Sequence, residues 1–128
     1  MTIPEYLNLV KERLLTEAAI THFEIVRERA TAQDGHLRAR LIFINGTQME
    51  FSEYFQILSD DTIVIRTYSY HWSSPGGDLI ARWDNTPHFP GLEGFPHHIH
   101  RAEGNIVLPG KPMNIFSVLD EIVRTIHS

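Results

Sequence analysis

The segment from Tyr68 to Arg101 reads YSYHWSSPGGDLIARWDNTPHFPGLEGFPHHIHR, and the rest of the chain is organised around it. It holds five of the eight histidines and both tryptophans of a chain of 128 residues. A segment that only fills a core seldom combines so many titratable and aromatic groups. We therefore expect the candidate functional groups to lie here, with the remaining residues forming the scaffold that presents them.

The first half of this segment is predicted to form a β-hairpin. The β-branched and aromatic run 62–72 and the run 78–85 flank a loop, SSPGG, that contains proline and two glycines. Pairing across this loop places Tyr68 opposite Arg82 and Arg66 opposite Asp84. The predicted hairpin has Arg66, Tyr68, Tyr70, Trp72, Arg82 and Asp84 on one face, and His71 and Trp83 on the other.

Further strands are predicted on both sides of this hairpin. Upstream, Asp34-Gly35 and Asn45-Gly46 are two-residue turn signals that predict strands near 23–33, 36–44 and 47–58. Downstream, an irregular loop rich in proline follows Asn85, and the short apolar run 105–108 is a candidate edge strand. The strands follow one another along the chain, which favours an antiparallel meander.

A helix is predicted at each end of the chain. Residues 2–18 carry apolar residues at helical spacing after Thr2 and Glu5, which resemble a capping box. Asn114 is the expected N-cap of a second helix with an apolar face. The predicted fold is therefore a single α+β domain, 1–128. It has one antiparallel sheet of about five to six strands, with the N-terminal and C-terminal helices packed on one face.

Composition narrows the classes of function. The absence of cysteine excludes disulfides, thiolate nucleophiles and cysteine-ligated zinc. No apolar run approaches the ~20 residues of a membrane span, and the first residues lack the pattern of a signal peptide, so we expect a cytoplasmic protein with no membrane partner. The net charge of −5 argues against a surface that attracts nucleic acid everywhere, although a local basic patch remains compatible with it.

A local basic patch is predicted on the first hairpin. With a turn at Asp34-Gly35, Arg29 lies opposite Arg40, and the same face carries Arg27 and Arg38. Like charges opposed across a sheet are destabilising, so the cluster suggests an anionic counterpart. One interpretation is a solvated edge with internal ion pairs, to which Glu53 contributes opposite Arg38. The other is a docking surface for RNA phosphates or an acidic partner.

Three kinds of chemistry suit the histidines that follow the hairpin. His98 and His100 point the same way from an extended segment and could bind a metal ion together with His88 or Asp84. Metal-independent RNA cleavage needs a base, an acid and a cation near the phosphate. His71, Arg82, Tyr68 or Tyr70, and one of His97, His98 and His100 supply that set. The third possibility is that the imidazoles bond backbone carbonyls and hold an irregular loop.

The motifs YSYHW, LIARWDNTPH and FPHHIH, followed by a C-terminal helix, resemble the TumE family of toxins from toxin–antitoxin modules. The resemblance implies a growth-inhibitory type II toxin that is neutralised by a DNA-binding antitoxin of the TumA type. Ribonuclease activity is expected by analogy with other small toxins. The characteristic positions are Tyr68, Tyr70, His71, Trp72, Arg82, Trp83, Asp84, Pro87, His88, Pro96, His97, His98 and His100.

The leading hypothesis is therefore a toxin that acts on RNA as a small ribonuclease without a metal or other cofactor. His71 and either His98 or His100 serve as acid and base, Arg82 stabilises the phosphate, and Asp84 orients Arg66 or a histidine. His97, Tyr68 and Tyr70 complete the candidate site. The alternatives are a non-catalytic module that binds RNA or protein, and a metal-dependent phosphodiesterase with histidine ligands. A homodimer is compatible with each hypothesis.

Overall fold

Seven antiparallel strands form one sheet in which each strand pairs with its neighbours in chain order. The structure is a computed structural model that describes residues 1–128. Its elements are α1 (Ile3–Thr16), β1 (Ile20–Ala30), β2 (Asp34–Phe43), β3 (Gln48–Ile57), β4 (Ile63–Ser73), β5 (Leu79–Asp84), β6 (His98–Arg101), a 3₁₀ turn (Glu103–Asn105), β7 (Ile106–Pro109) and α2 (Ile115–Ile126). The antiparallel meander is confirmed, and the candidate edge strand 105–108 corresponds to β7. The strand count of five to six was too low because β6, within the segment predicted as an irregular loop, also joins the sheet.

Both helices begin at the N-cap residues that the sequence predicted, Thr2 and Asn114. The Glu5 backbone N–H donates to Thr2 Oγ1 over 3.2 Å, and the Thr2 backbone N–H donates to Glu5 Oε1 over 3.0 Å, which completes the capping box of α1. The Asn114 side chain accepts a hydrogen bond of 2.9 Å from the Ser117 backbone N–H at the start of α2. These bonds satisfy backbone donors that the first turn of a helix leaves free.

The core lies between the two helices and one face of the sheet. Side chains alternate across each strand, so every second residue of β2 to β5 enters this core. The buried cluster includes Val10, Leu14, Leu37, Phe51, Tyr70, Trp72, Trp83, Ile115 and Leu119. No helix covers the opposite face, which is called the uncovered face below.

The turn between β1 and β2 differs from the prediction. Residues 31–33 connect the strands, whereas Asp34 and Gly35 belong to β2 and Gly35 pairs with Ala30. The Thr31 hydroxyl stabilises this turn by accepting hydrogen bonds from the backbone N–H groups of Gln33 and Asp34, over 3.2 and 3.0 Å. Gly35 is needed for packing, since a Cβ at this position would lie 2.5 Å from Phe55 Cε2.

The different turn also changes the β1–β2 register on which the predicted basic patch depends. Arg40 lies opposite Glu24 and Arg38 opposite Arg27, so the predicted pairing of Arg29 with Arg40 was wrong. The predicted position of Glu53 opposite Arg38 was wrong too. Glu53 lies opposite Leu37 on the core face and is fully buried, because the β2–β3 register places Ser52 opposite Arg38.

The register of β4 and β5 differs from the prediction in the same way. His71 lies opposite Arg82 and Tyr70 opposite Trp83, so the predicted pairing of Tyr68 with Arg82 was wrong. An irregularity between Trp72 and Ser73 alters the pairing that the loop alone would give. A shift by an odd number of residues moves side chains to the other face. Arg66 does not pair with Asp84, and its Nε instead donates to Gln56 Oε1 over 2.8 Å.

Candidate functional site

The uncovered face carries two parallel rows of polar side chains that run across the sheet. In the first row, Arg40, Glu50, His71, Arg82 and His100 lie opposite one another on the five strands from β2 to β6. In the second row, the corresponding residues are Arg38, Ser52, Ser69, Asp84 and His98. Rigid strands therefore hold arginine, histidine, carboxylate and hydroxyl groups next to one another on one surface.

A pocket of about 310 Å³ lies between these rows. Its lining residues are Arg38, Glu50, Phe51, Ser52, Ser69, His71 and Arg82. A neighbouring pocket of about 490 Å³ extends toward β1, and His71 lines both. His71 thus lies at the junction of two open cavities, where its imidazole is accessible to a ligand of extended shape.

One carboxylate, that of Glu50, contacts both arginines of β2 on the uncovered face. Glu50 Oε1 lies 2.8 Å from Arg38 Nε, and Glu50 Oε2 lies 3.5 Å from Arg40 Nε. Burial acts to raise the pKa of Glu50, but the hydrogen bond and charge of Arg38 and the charge of Arg40 hold that pKa below its usual value. Glu50 is therefore ionised at neutral pH, and the three side chains together keep a net positive charge.

Asp84 connects Arg82 to His98 at the other side of the pocket. The carboxylate is only 2% exposed and lies 3.0 Å from Arg82 Nε and 2.9 Å from His98 Nε2. Neither nitrogen directs a hydrogen toward the carboxylate well enough to form an aligned hydrogen bond, so both are close contacts without a hydrogen bond. The Thr86 backbone N–H donates to Asp84 Oδ1 over 3.0 Å and fixes the carboxylate.

The two histidines of β6 differ in exposure. His98 is 2% exposed, whereas His100 is partly exposed at the end of the first row. Burial lowers the pKa of His100, and the charge of His98 adds to that effect. Phe89 packs edge-on against both rings, with centroid separations of 5.4 and 5.9 Å. His88, which was considered as a metal ligand, packs against the same phenylalanine.

Three of the predicted site residues lie on the core face instead. Tyr70 is fully buried, and its hydroxyl donates to Glu53 Oε2 over 2.6 Å. Burial and the Asp84 charge raise the pKa of Tyr68, whose hydroxyl shares a 2.8 Å hydrogen bond with His97 Nδ1. Burial lowers the pKa of His97. The sheet separates these groups from His71 and Arg82.

Comparison with known proteins identifies the family of the chain. A family model described as "Toxin TumE" matches residues 9–128. The chain belongs to the TumE toxin family. Neither the comparison with curated proteins nor that with solved structures found a match. None of the helices is both long and apolar enough to cross a membrane.

The residues of the motifs YSYHW, LIARWDNTPH and FPHHIH are divided between the two faces of the sheet. The uncovered face brings together five of them: His71, Arg82, Asp84, His98 and His100. Tyr68, Tyr70, Trp72 and Trp83 belong to the core. These motifs of the chain therefore combine a packing requirement with a cluster of chemically active groups.

Sequence reasoning missed two groups of the site on β3. Glu50 and Ser52 lie in the first and second rows and line the pocket, yet neither was a candidate. The alternation of polar and apolar residues in QMEFSEYF was the available signal. It indicates that Glu50 and Ser52 share a face, and the register with β4 then brings them beside His71 and Ser69.

Proposed function

We propose that this TumE-family toxin cleaves RNA without a metal ion, at a site on the uncovered face. The observation that carries the proposal is the sequence of His71, Arg82 and His100 along the first row, on three adjacent strands. Neighbouring strands are about 4.8 Å apart, so the row sets one imidazole on each side of a guanidinium. Two proton-transfer groups that flank a cation suit the in-line displacement of one oxygen of a phosphodiester by another.

The reaction would use the 2′-hydroxyl of the RNA as its nucleophile. One neutral imidazole removes the proton of this hydroxyl as the oxygen attacks the adjacent phosphorus. The other, as imidazolium, gives its proton to the departing 5′-oxygen, so the number of protons is conserved. The products are a 2′,3′-cyclic phosphate and a 5′-hydroxyl. Arg82 stabilises the charge that develops on the non-bridging oxygens in the transition state.

The neighbouring residues support this arrangement. Asp84 lies 3.0 Å from Arg82 Nε and restrains the guanidinium, while His98 and Thr86 restrain Asp84. The hydroxyls of Ser52 and Ser69 line the same pocket as Arg82 and are available to phosphate oxygens. His98 has almost no exposed surface, which favours His100 as the second proton-transfer group.

The proposal is tested with purified protein and an RNA oligonucleotide in the presence of EDTA. We expect cleavage that leaves 2′,3′-cyclic phosphate and 5′-hydroxyl ends, and none at a position that carries a 2′-deoxy sugar. His71→Asn and His100→Asn should each lower the rate by about 10²–10⁴-fold, the usual contribution of general acid–base catalysis. His127→Asn, at the exposed C-cap of α2, is the matched control and should cleave at the wild-type rate.

Several outcomes would contradict the proposal. Cleavage products with 5′-phosphate ends would exclude the 2′-hydroxyl as nucleophile. Full activity in folded His71→Asn and His100→Asn would exclude the row as the catalytic site. Activity that disappears with EDTA and returns with a divalent ion would replace the metal-free mechanism by that of a metal-dependent phosphodiesterase.

The family also implies an antitoxin partner for this chain. We infer that this partner is a DNA-binding protein of the TumA type that neutralises the toxin by direct contact. Expression of the chain alone and together with the neighbouring open reading frame tests the inference. Growth arrest that is relieved only by co-expression, with co-purification of the two proteins, is the expected result.

A second candidate function is RNA binding without turnover. It is favoured by the arginines of the uncovered face, where Arg27 lies opposite Arg38 and Arg40 lies between Glu24 and Glu50. This function predicts saturable binding of RNA that stays intact. It also predicts that substitution of His71 changes the affinity alone, so the cleavage experiment distinguishes the two functions.

A further inference from the structure

Asp84, His98 and His100 form a compact cluster of potential metal ligands at one end of the two rows. Their ligand atoms all lie within 4.8 Å of one another, and two of the three residues are buried. Asp84 ends β5, and both histidines belong to β6, where alternate residues point to the same face. The β5–β6 pairing therefore fixes the positions from which all three side chains approach one point.

The hydrogen bonding of His98 prepares one of its ring nitrogens to bind a cation. His98 Nδ1 lies 2.9 Å from the Pro96 carbonyl oxygen, which can only accept, so Nδ1 carries the hydrogen. In the neutral ring, Nε2 then presents a lone pair. This atom is buried, makes no aligned hydrogen bond and lies 2.9 Å from Asp84 Oδ1. Two electron-rich atoms at that separation repel each other unless a proton or metal ion neutralises them.

We propose that Asp84, His98 and His100 bind one divalent transition metal ion of the zinc type. Two imidazoles and a carboxylate suit zinc, whereas magnesium and calcium prefer oxygen ligands. A bond from the second ring nitrogen to a backbone carbonyl is the usual arrangement of a metal-bound histidine. Arg82 contacts Asp84 Oδ2, whereas Oδ1 faces His98. Oδ1 accepts one hydrogen bond from the Thr86 backbone N–H, and its second lone pair remains for the ion.

The site needs a small movement of one ligand. Donors about 2.0–2.1 Å from a tetrahedral zinc ion lie roughly 3.3 Å apart. The Asp84–His98 separation of 2.9 Å is already close to that value, whereas the whole cluster extends to 4.8 Å. His100 is the less buried ligand and can rotate toward the other two.

Metal binding and the proposed ribonuclease reaction would compete for His100. An ion held by this imidazole removes it from proton transfer, so zinc should inhibit the metal-free reaction and a chelator should restore it. This consequence rests on the proposed function, whereas the binding site itself rests only on the geometry of Asp84, His98 and His100.

The binding is tested by calorimetric titration of Zn²⁺ into the EDTA-stripped, dialysed chain. A parallel titration with Co²⁺ reports imidazole ligation through its visible absorption. We expect one ion per chain. His98→Gln and His100→Gln should weaken binding by at least about tenfold, a loss that changes even outside the ligand set can cause. His127→Gln is the control, and His100→Gln keeps the test valid if the buried His98 variant fails to fold.

The outcomes separate this inference from the proposed function. Failure of the folded wild-type chain to bind Zn²⁺ or Co²⁺ would overturn the site. Wild-type affinity for Zn²⁺ in both His98→Gln and His100→Gln would overturn it too. Zinc binding accompanied by inhibition of cleavage supports the site and the competition for His100. Zinc binding that activates cleavage supports the site and overturns the metal-free mechanism. Zinc binding by a chain that never cleaves RNA supports the site and contradicts only the proposed function.

Discussion

Arg82 lies at the boundary between the buried and the accessible parts of the uncovered face. Its side chain is 42% exposed, and its Nε lies 3.0 Å from a carboxylate that is 2% exposed. The guanidinium is therefore anchored at one end and free to meet a ligand at the other. A planar fork of donors suits phosphate better than an ammonium group does.

We expect Arg82→Lys to lower kcat/KM for RNA by at least about tenfold while the fold remains intact. Lysine keeps the positive charge but loses both the Nε contact with Asp84 and the paired donors that recognise phosphate. Cleavage kinetics and thermal unfolding would be measured together. Arg124→Lys, in the exposed last turn of α2, is the matched control. Equal activity in Arg82→Lys and the wild type would show that charge alone is sufficient.

Glu53 is a buried carboxyl that the site does not use. Tyr6 and Tyr70 donate hydrogen bonds of 2.6 Å to its two oxygens, and the Ile115 backbone N–H donates one of 2.9 Å. It therefore joins α1, β4 and the start of α2. Burial raises the pKa of Glu53 above 4.5, although these hydrogen bonds oppose the increase.

This raised pKa predicts how stability depends on pH. A folded pKa above the unfolded value means that the stabilisation is complete below about pH 4.5 and is lost as pH rises through the folded pKa. The free energy of unfolding of the wild type, relative to Glu53→Gln, should therefore fall across that interval. The slope cannot exceed about 1.4 kcal/mol per pH unit for one group. Urea unfolding of both proteins measures it, and a constant or rising difference would contradict the prediction.

At the scale of single elements, the packing of β2 against β3 and α1 requires that residue 35 has no side chain. A Cβ at this position would lie 2.5 Å from Phe55 Cε2 and 2.9 Å from Ile3 Cγ2. Both neighbours are almost fully buried and have little room to move. The glycine therefore permits α1 to approach the sheet closely.

We expect Gly35→Ala to lower the free energy of unfolding by about 1–3 kcal/mol, the usual cost of overpacking a core. Gly91→Ala is the matched control, because no atom would lie within 4 Å of its new Cβ. That change should be neutral or slightly stabilising, since alanine restricts the unfolded chain. Chemical denaturation of the two variants compares them directly. Equal stability of the two variants would refute the packing role of Gly35.

The types of most elements were predictable because local patterns determine them. The capping residues Thr2 and Asn114 located both helices, and the alternating apolar residues located five strands. The pairing register was not predictable in this way. The Thr31 side chain replaced the expected Asp34-Gly35 turn, and irregularities in β1 and β4 displaced the pairs further.

These shifts of register explain why the members of the candidate site were only partly predictable. Composition directed attention to the segment 68–101, and His71 and Arg82 were among the predicted site residues, but their neighbours depend on long-range pairing. A shift by an odd number of residues between β4 and β5 placed Tyr68 and Tyr70 on the face opposite Arg82 and brought His71 beside Arg82. The contact between Asp84 and the buried His98 arises only when β6 joins β5. No local pattern in FPHHIH contains that information.

At the scale of the whole molecule, the distribution of charge matters more than its sum. The net charge is −5, yet the uncovered face presents Arg27, Arg38, Arg40 and Arg82. Glu24, Glu50 and Asp84 lie among these arginines and reduce their field. An RNA strand would therefore meet a small cationic area within an acidic protein, and only a few phosphates would be neutralised.

This distribution predicts a weak dependence of RNA affinity on salt. Each neutralised phosphate of a single strand contributes a slope of about −0.7 to the plot of log affinity against log salt. Contacts from Arg38 and Arg82, the two arginines that line the pocket beside His71, should give a total of roughly −1.4. Arg38→Gln should reduce the magnitude of the slope by about 0.7, and Lys11→Gln on α1 should leave it unchanged. A 2′-O-methyl oligonucleotide, which lacks the free 2′-hydroxyl, allows binding to be measured without cleavage. An unchanged slope in Arg38→Gln would place the RNA outside this pocket.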